Sequence, residues 1–98
     1  MNINELKNKL KPKLIEIDLE GTKLYIHRPT GRDLAKCTDM ASTVILCTKD
    51  ENGDPIFADE DIEGRINIGS IDYVYQNQLY EAISNLVIKS DIGDIEKK

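Results

Sequence analysis

Residues 14–27, LIEIDLEGTKLYIH, establish the architecture of this chain, because apolar and polar side chains alternate on both sides of Gly21. This period of two predicts a pair of β-strands. A two-residue loop at Glu20 and Gly21 would join the strands into an antiparallel hairpin; a longer turn with a bulge at Gly21 is the alternative. With the short loop, one register suits both faces, and it pairs Ile15 with Ile26, Ile17 with Leu24 and Asp18 with Lys23.

A helix is predicted directly after the hairpin. Thr30 and Asp33 form a variant of the capping box, which indicates a helix from near Gly31 to about Thr48. Side chains at helical spacing give it an apolar stripe, made of Leu34, Cys37, Ala41, Val44 and Ile45.

Two further helices are predicted towards the C-terminus. Acids cluster at the start of the segment 59–66, where they favour a short helix because they oppose the positive end of the helix dipole. Ser70 is a candidate cap for a final helix that runs to about Lys89. The core stripe of that helix is Ile71, Val74, Tyr75, Leu79, Ala82, Ile83 and Leu86.

The predicted fold class is α+β, with an N-terminal antiparallel β-hairpin packed on two main α-helices and a short helix between them. A chain of 98 residues, 40% hydrophobic and 32% charged, has material for one domain. That domain spans residues 13–90, between a short polar segment at 1–12 with helical spacing and a flexible polar tail at 91–98. The predicted core is Ile15, Ile17, Leu24, Ile26, Leu34, Cys37, Ala41, Val44, Phe57, Ile62, Ile71, Tyr75, Leu79, Ala82 and Leu86.

Charge and hydropathy exclude several classes of partner. The net charge of −5 opposes binding to a nucleic-acid backbone. No segment has the roughly 18 to 20 apolar residues that cross a bilayer or the pattern of a signal peptide, so we expect a cytoplasmic protein without a membrane partner. Cys37 and Cys47 fall in one predicted helix, separated by about 15 Å along its axis, and are expected to be reduced thiols.

No pattern of catalytic, cofactor-binding or metal-ligating residues stands out. Asp50, Asn52 and Asp54 alternate like calcium ligands, but Gly53 falls at the wrong position for an EF-hand loop. His27 is the only histidine, and the hairpin register predicts that it faces solvent. We therefore expect a non-enzymatic protein with no cofactor and no metal.

The last predicted helix is apolar on two sides. Tyr73, Tyr80 and Val87 recur every seven residues, nearly opposite the core stripe. This second side either packs under the hairpin or another helix, or binds a partner through its tyrosines.

Opposite charges concentrate in two segments. The first thirteen residues carry Lys7, Lys9, Lys11 and Lys13 against one glutamate. Residues 50–63 carry seven acids and no lysine or arginine; four of these acids are Asp59, Glu60, Asp61 and Glu63. The two segments are either solvated faces of a monomer or a basis for head-to-tail attraction between copies.

Two motifs, RPTGRDL at residues 28–34 and DENGDPIFADEDI at residues 50–62, occur after a hairpin and before a long helix. In this order the chain resembles the tail assembly chaperones of long-tailed bacteriophages and prophages, over about residues 14–88. One departure is Ala58, since similar proteins tend to have Ser or Thr there as a helix cap. The departure shifts the expected cap to Asp59.

The resemblance implies that many copies coat the long helical tape measure protein, prevent its aggregation and help recruit tail tube protein before they are released. It also implies that the protein is absent from the mature virion. The second face of the last helix and the two charged segments are then the expected contact surfaces.

Two alternatives remain open at this point. A small acidic adaptor or inhibitor, for example a charge mimic of nucleic acid, would bind a single basic host partner as a monomer or dimer. A permanent virion component, such as a connector subunit, would be found in finished particles.

Overall fold

The structure is a computed structural model that describes the backbone of residues 1–96 and the side chains of residues 1–88. It has the α+β architecture that the sequence predicts, with an N-terminal hairpin and helices. Its elements are α1 (Ile3–Leu10), β1 (Ile15–Leu19), β2 (Thr22–Ile26), α2 (Gly31–Leu34), α3 (Met40–Cys47), β3 (Thr48–Lys49), β4 (Phe57–Ala58), β5 (Ile66–Asn67), a 3₁₀ turn (Ile68–Ser70) and α4 (Tyr73–Glu96).

The hairpin has the predicted register and the short loop. Its pairs include Ile15 with Ile26 and Ile17 with Leu24. Glu20 and Gly21 both have positive φ, at 53° and 81°, which is the geometry of a tight primed turn. The Gly21 amide donates a hydrogen bond of 2.8 Å to the Asp18 carboxylate, which further stabilises the turn.

A third strand, which the sequence analysis missed, extends the hairpin into a sheet of order β1-β2-β3. The central strand β2 buries Leu24 and Ile26, whereas the edge strand β1 leaves Ile15 42% exposed. The core assignment of Ile15 was therefore wrong. The prediction that His27 faces solvent was also wrong, because its amide donates to the Cys47 carbonyl at 3.1 Å and the residue is buried.

The single helix predicted from near Gly31 to Thr48 is wrong, because the chain forms α2 and α3 with a turn between them. Asp39 and Ser42 make a full capping box that starts α3, and this local cap competes with helix continuation. The four-residue α2 leaves Leu34 60% exposed rather than in the core.

The short helix predicted at residues 59–66 is also wrong. The chain pairs β4 with β5 in parallel, Phe57 with Ile66 and Ala58 with Asn67, and the intervening loop contains Gly64 at φ 84°. Ile62 lies in this loop and is 40% exposed, so its assignment to the core fails.

The core forms where α3 packs against α4 beneath β2. Among the predicted core residues, five are buried: Leu24, Ile26, Val44, Phe57 and Leu79. Another seven are partly buried: Ile17, Cys37, Ala41, Ile71, Tyr75, Ala82 and Leu86. Buried hydrophobic residues that the prediction missed are Cys47, Ala58 and Ile68. In the predicted core stripe of the last helix, Ile83 is buried as expected, but the assignment of Val74 was wrong because it is 53% exposed.

The last helix differs from its prediction at both ends. Ser70 lies in the 3₁₀ turn, and the Asp72 carboxylate accepts the Val74 amide at 2.9 Å at the start of α4. The helical backbone continues to Glu96, past the predicted end near Lys89. The flexibility proposed for residues 91–98 stays a prediction, and residues 97–98 lie outside the described part of the chain.

Candidate protein-docking site

An apolar groove opens to solvent between α2 and α4, and we refer to it as the α2–α4 groove. Its volume is about 250 Å³. Leu34 on one side and Ile88 on the other are 60% and 54% exposed, so the groove has large apolar side chains at its edges. The residues that line it are Pro29, Leu34, Cys37, Thr43, Tyr80, Ile83, Ser84, Val87 and Ile88.

The short helix α2 determines which side chains face the groove. Thr30 Oγ1 accepts the Asp33 amide at 3.2 Å and caps the start of α2. The Cys37 amide then donates to the carbonyls of both Asp33 and Leu34, so the chain turns immediately after one helical turn. This turn brings Cys37 against the core and leaves Leu34 at the solvent edge.

The second predicted stripe of the last helix, Tyr73, Tyr80 and Val87, does not form one surface in the structure. Tyr80 and Val87 line the α2–α4 groove and are half-buried. Tyr73, at the first turn of α4, is 64% exposed and does not line the groove. On the core side of the same helix, Leu79 and Ile83 are almost fully buried. Tyr80 and Val87 thus flank the buried Ile83 on one continuous apolar side of α4, and this side is partly open at the groove.

The two cysteines are much closer than the 15 Å that one continuous helix would give. Both are free thiols, and Cys37 is close enough to Cys47 to affect its ionisation. Burial, followed by the neighbouring Cys37 thiol, raises the pKa of Cys47 to about 12. Cys37 lines the groove. The reactivity of the Cys37 thiol can therefore be used to measure whether the groove is open to solvent.

The four predicted basic residues lie on and just after α1. None of the α1 residues is buried, and Lys9 pairs with Glu5 at 3.8 Å on the helix surface. Lys7 and Lys11 line a second, shallow groove of about 450 Å³. Its other lining residues are Ile3, Leu6, Leu10, Pro12 and Thr30. We call this surface the α1 groove.

The predicted acidic site residues Asp59, Glu60, Asp61 and Glu63 are all exposed. They follow β4 in the loop that leads to β5, and we call residues 59–66 the acidic segment. Asp61 accepts a hydrogen bond of 3.1 Å from the Asn67 side chain, which holds one end of the loop. Ile62 and Ile66 are 40% and 46% exposed within this segment.

Asp50, in the preceding loop, has a structural role. Its Oδ1 accepts the amides of Asn52 and Asp54 at 2.8 and 2.9 Å, and this closes the turn around Gly53. Within the described residues, no three histidine, cysteine or acidic side chains converge on a position suited to a metal ion.

His27 lines a mixed polar cavity of about 500 Å³ with Lys49 and Asp33. Its Nδ1 carries the proton, since it donates to the Arg28 carbonyl at 2.7 Å. Lys49 Nζ donates to the Leu46 carbonyl at 2.6 Å, and burial lowers the pKa of this lysine. The Lys49 bond thereby holds the end of α3, where β3 begins.

Two features of these surfaces were missed by sequence reasoning. Leu34 was assigned to the core by helical spacing, although the cap at Asp39 signals that the helix restarts. The exposed stripe of α1 consists of Ile3, Leu6 and Leu10, and their helical spacing in the sequence is the signal that could have found it.

The comparisons with known proteins give no match, whether to family models, to curated proteins or to solved structures. Among the described residues, no helix combines the length and the apolar character needed to cross a membrane.

Proposed function

We propose that the protein is a tail assembly chaperone of a long-tailed bacteriophage or prophage. In this role several copies bind the tape measure protein in the host cytoplasm, keep it soluble during tail assembly and leave before the virion is complete. The observation that carries the proposal is the α2–α4 groove, which presents Leu34 and Ile88 to solvent on a small acidic domain. The resemblance of residues 28–34 and 50–62 to this family supports it from the sequence.

The apolar lining of the groove suits a helical partner. An amphipathic helix binds an apolar groove by inserting side chains that recur every three or four residues. A groove of about 250 Å³ accommodates few such side chains, so each contact is weak. A long helical protein with a repeated apolar stripe offers many such contacts, and multivalency then supplies the total affinity.

This binding role needs no chemical step. A chaperone that must release its client gains from weak, repeated contacts rather than from a deep pocket. We therefore propose a non-enzymatic protein without a cofactor. Contacts with tail tube protein belong to the same proposal, as does contact between neighbouring copies on one client.

Co-expression tests the proposal. The partner is the largest predominantly helical protein encoded just downstream in the same genome, and the readouts are soluble recovery, co-purification and the mass ratio of the complex. We expect the partner to be soluble only with this chain, in a complex that holds several copies.

Two matched variants locate the binding surface. Leu34→Asp puts a charge at the edge of the groove, and Val74→Asp puts the same charge at a comparably exposed apolar position of α4 outside it. We expect Leu34→Asp to abolish co-purification and Val74→Asp to preserve it.

A partner that stays insoluble with the wild-type chain would refute the proposal. The chain would instead be an acidic adaptor or inhibitor if it bound a single basic host protein at a 1:1 ratio and if the affinity fell steeply with added salt. The six exposed acids between residues 50 and 63 are the observation behind that second candidate.

A further inference from the structure

Helix α1 has an apolar stripe that the rest of the described chain does not cover. Ile3, Leu6 and Leu10 are 62%, 38% and 73% exposed. The helix is nevertheless capped, because the Asn2 side chain accepts the Glu5 amide at 3.1 Å. An eight-residue helix is marginal without packing, so a second surface over the stripe would stabilise it.

The charges around this stripe define the partner that fits it. Lys7 and Lys11 line the α1 groove together with the apolar residues, and Lys13 follows in sequence. A complementary surface must therefore combine exposed apolar side chains with several carboxylates at close spacing.

The acidic segment of this same chain has that combination. Ile62 and Ile66 are exposed at 40% and 46%, and the four carboxylates at positions 59, 60, 61 and 63 are exposed beside them. The lining of the α1 groove comes only from residues 3–30, so the chain does not fill the groove with its own acidic segment.

We propose that the α1 groove of one copy binds the acidic segment of a second copy, with Leu6 and Leu10 against Ile62 and Ile66 and with lysines facing carboxylates. The two surfaces are different, so each bound copy keeps one free groove and one free segment, and copies can add in a row. The biological role of this contact, which is to join neighbouring copies on one client, rests on the proposed function.

The small size of the contact determines its strength. Four apolar side chains and a few exposed ion pairs bury well under the roughly 1,000 Å² of a stable interface. Association is therefore weak and sensitive to salt, because exposed ion pairs are screened. Such a contact leaves copies separate in dilute solution and joins them where a client concentrates them.

Sedimentation velocity of the purified protein, without any client, tests the inference. We expect concentration-dependent association between about 10 µM and about 1 mM that is weaker at about 500 mM than at about 50 mM NaCl. A protein that remains monomeric across this range at low salt would overturn the inference. Because no client is present, that failure would leave the chaperone proposal standing.

A charge swap identifies the two surfaces. Lys7→Glu with Lys11→Glu makes the groove acidic, and Glu60→Lys with Glu63→Lys makes the segment basic. We expect each double variant alone to remain monomeric and an equimolar mixture to regain association. A mixture that stays monomeric, or single variants that associate like the wild type, would overturn the inference.

Two controls accompany the swap. Lys23→Glu with Lys36→Glu changes the net charge equally at exposed positions outside the α1 groove, and this variant should associate like the wild type. None of the substituted side chains is buried, so the melting temperature should change little. A loss of association in this control equal to that of the groove variant would contradict a specific contact.

Discussion

Helices α1 and α4 both carry apolar stripes, but they use them differently. In α4, Leu79 and Ile83 are no more than 1% exposed, because α3 and the sheet cover them. In α1, Ile3 and Leu10 are more than 60% exposed. An apolar stripe of helical period therefore does not by itself identify a core helix: one stripe stabilises the fold, and the other remains available to another molecule.

The largest expected difference between the two helices is in stability. Leu79→Ala removes a fully buried side chain and should lower the free energy of unfolding by about 3 kcal/mol. Leu10→Ala removes a side chain that is 73% exposed and should change the free energy of unfolding by less than about 0.5 kcal/mol. Urea unfolding of the two variants measures both values, and similar losses would break the comparison.

A buried hydroxyl on strand β3 offers a second test of how tightly the interior is packed. Thr48 is fully buried, and its Oγ1 has no hydrogen-bond partner among the described residues. Thr48→Val keeps the shape and removes the unpaired polar group, so it should raise the free energy of unfolding by about 1 kcal/mol.

Thermal unfolding beside the exposed control Thr38→Val checks this expectation. A loss of stability in Thr48→Val would mean that the hydroxyl has a partner, such as a buried water.

A smaller effect should appear at the start of α3. The pKa of Asp39 lies below its ordinary value, chiefly because its carboxylate accepts the Ser42 amide and also the Ser42 hydroxyl. A depressed folded-state pKa contributes stability above the unfolded value of about 3.9, and this contribution is lost as the pH falls through the folded-state value.

Asp39→Ala should therefore destabilise the protein at pH 7, and less so as the pH falls below the unfolded value. Asp39→Asn keeps an oxygen acceptor without its charge and should lack this part of the pH dependence. A constant difference between Asp39→Ala and the wild type over this range would contradict the assignment, and unfolding curves at several pH values measure it.

What the sequence predicted depended on how local the interactions are. The hairpin was predicted to the residue pair, because its alternation and its Glu20-Gly21 loop lie within fourteen residues. The strands β4 and β5 contain two residues each, and Phe57 pairs with Ile66 across a loop, so no periodic pattern marks them. Acids at the start of segment 59–66 were instead interpreted as a helix start.

The docking surfaces were predictable in part for the same reason. The second apolar side of α4 follows from helical spacing, and Tyr80 and Val87 do line the α2–α4 groove. The opposite side of that groove depends on the break between α2 and α3. Thr30 and Asp39 both signal helix starts nine residues apart, and helical spacing alone could not show that the second start interrupts the first helix.

The central claim, that the α2–α4 groove binds a client, has a direct measurement in the alkylation rate of Cys37. Mass spectrometry would compare this rate in the free protein and in the complex purified after co-expression, with buried Cys47 as the unreactive reference in both. We expect the alkylation rate of Cys37 in the complex to be at most about one tenth of its rate in the free protein, because the client should occupy about nine grooves in ten. A complex in which Cys37 reacts as fast as in the free protein would contradict the claim.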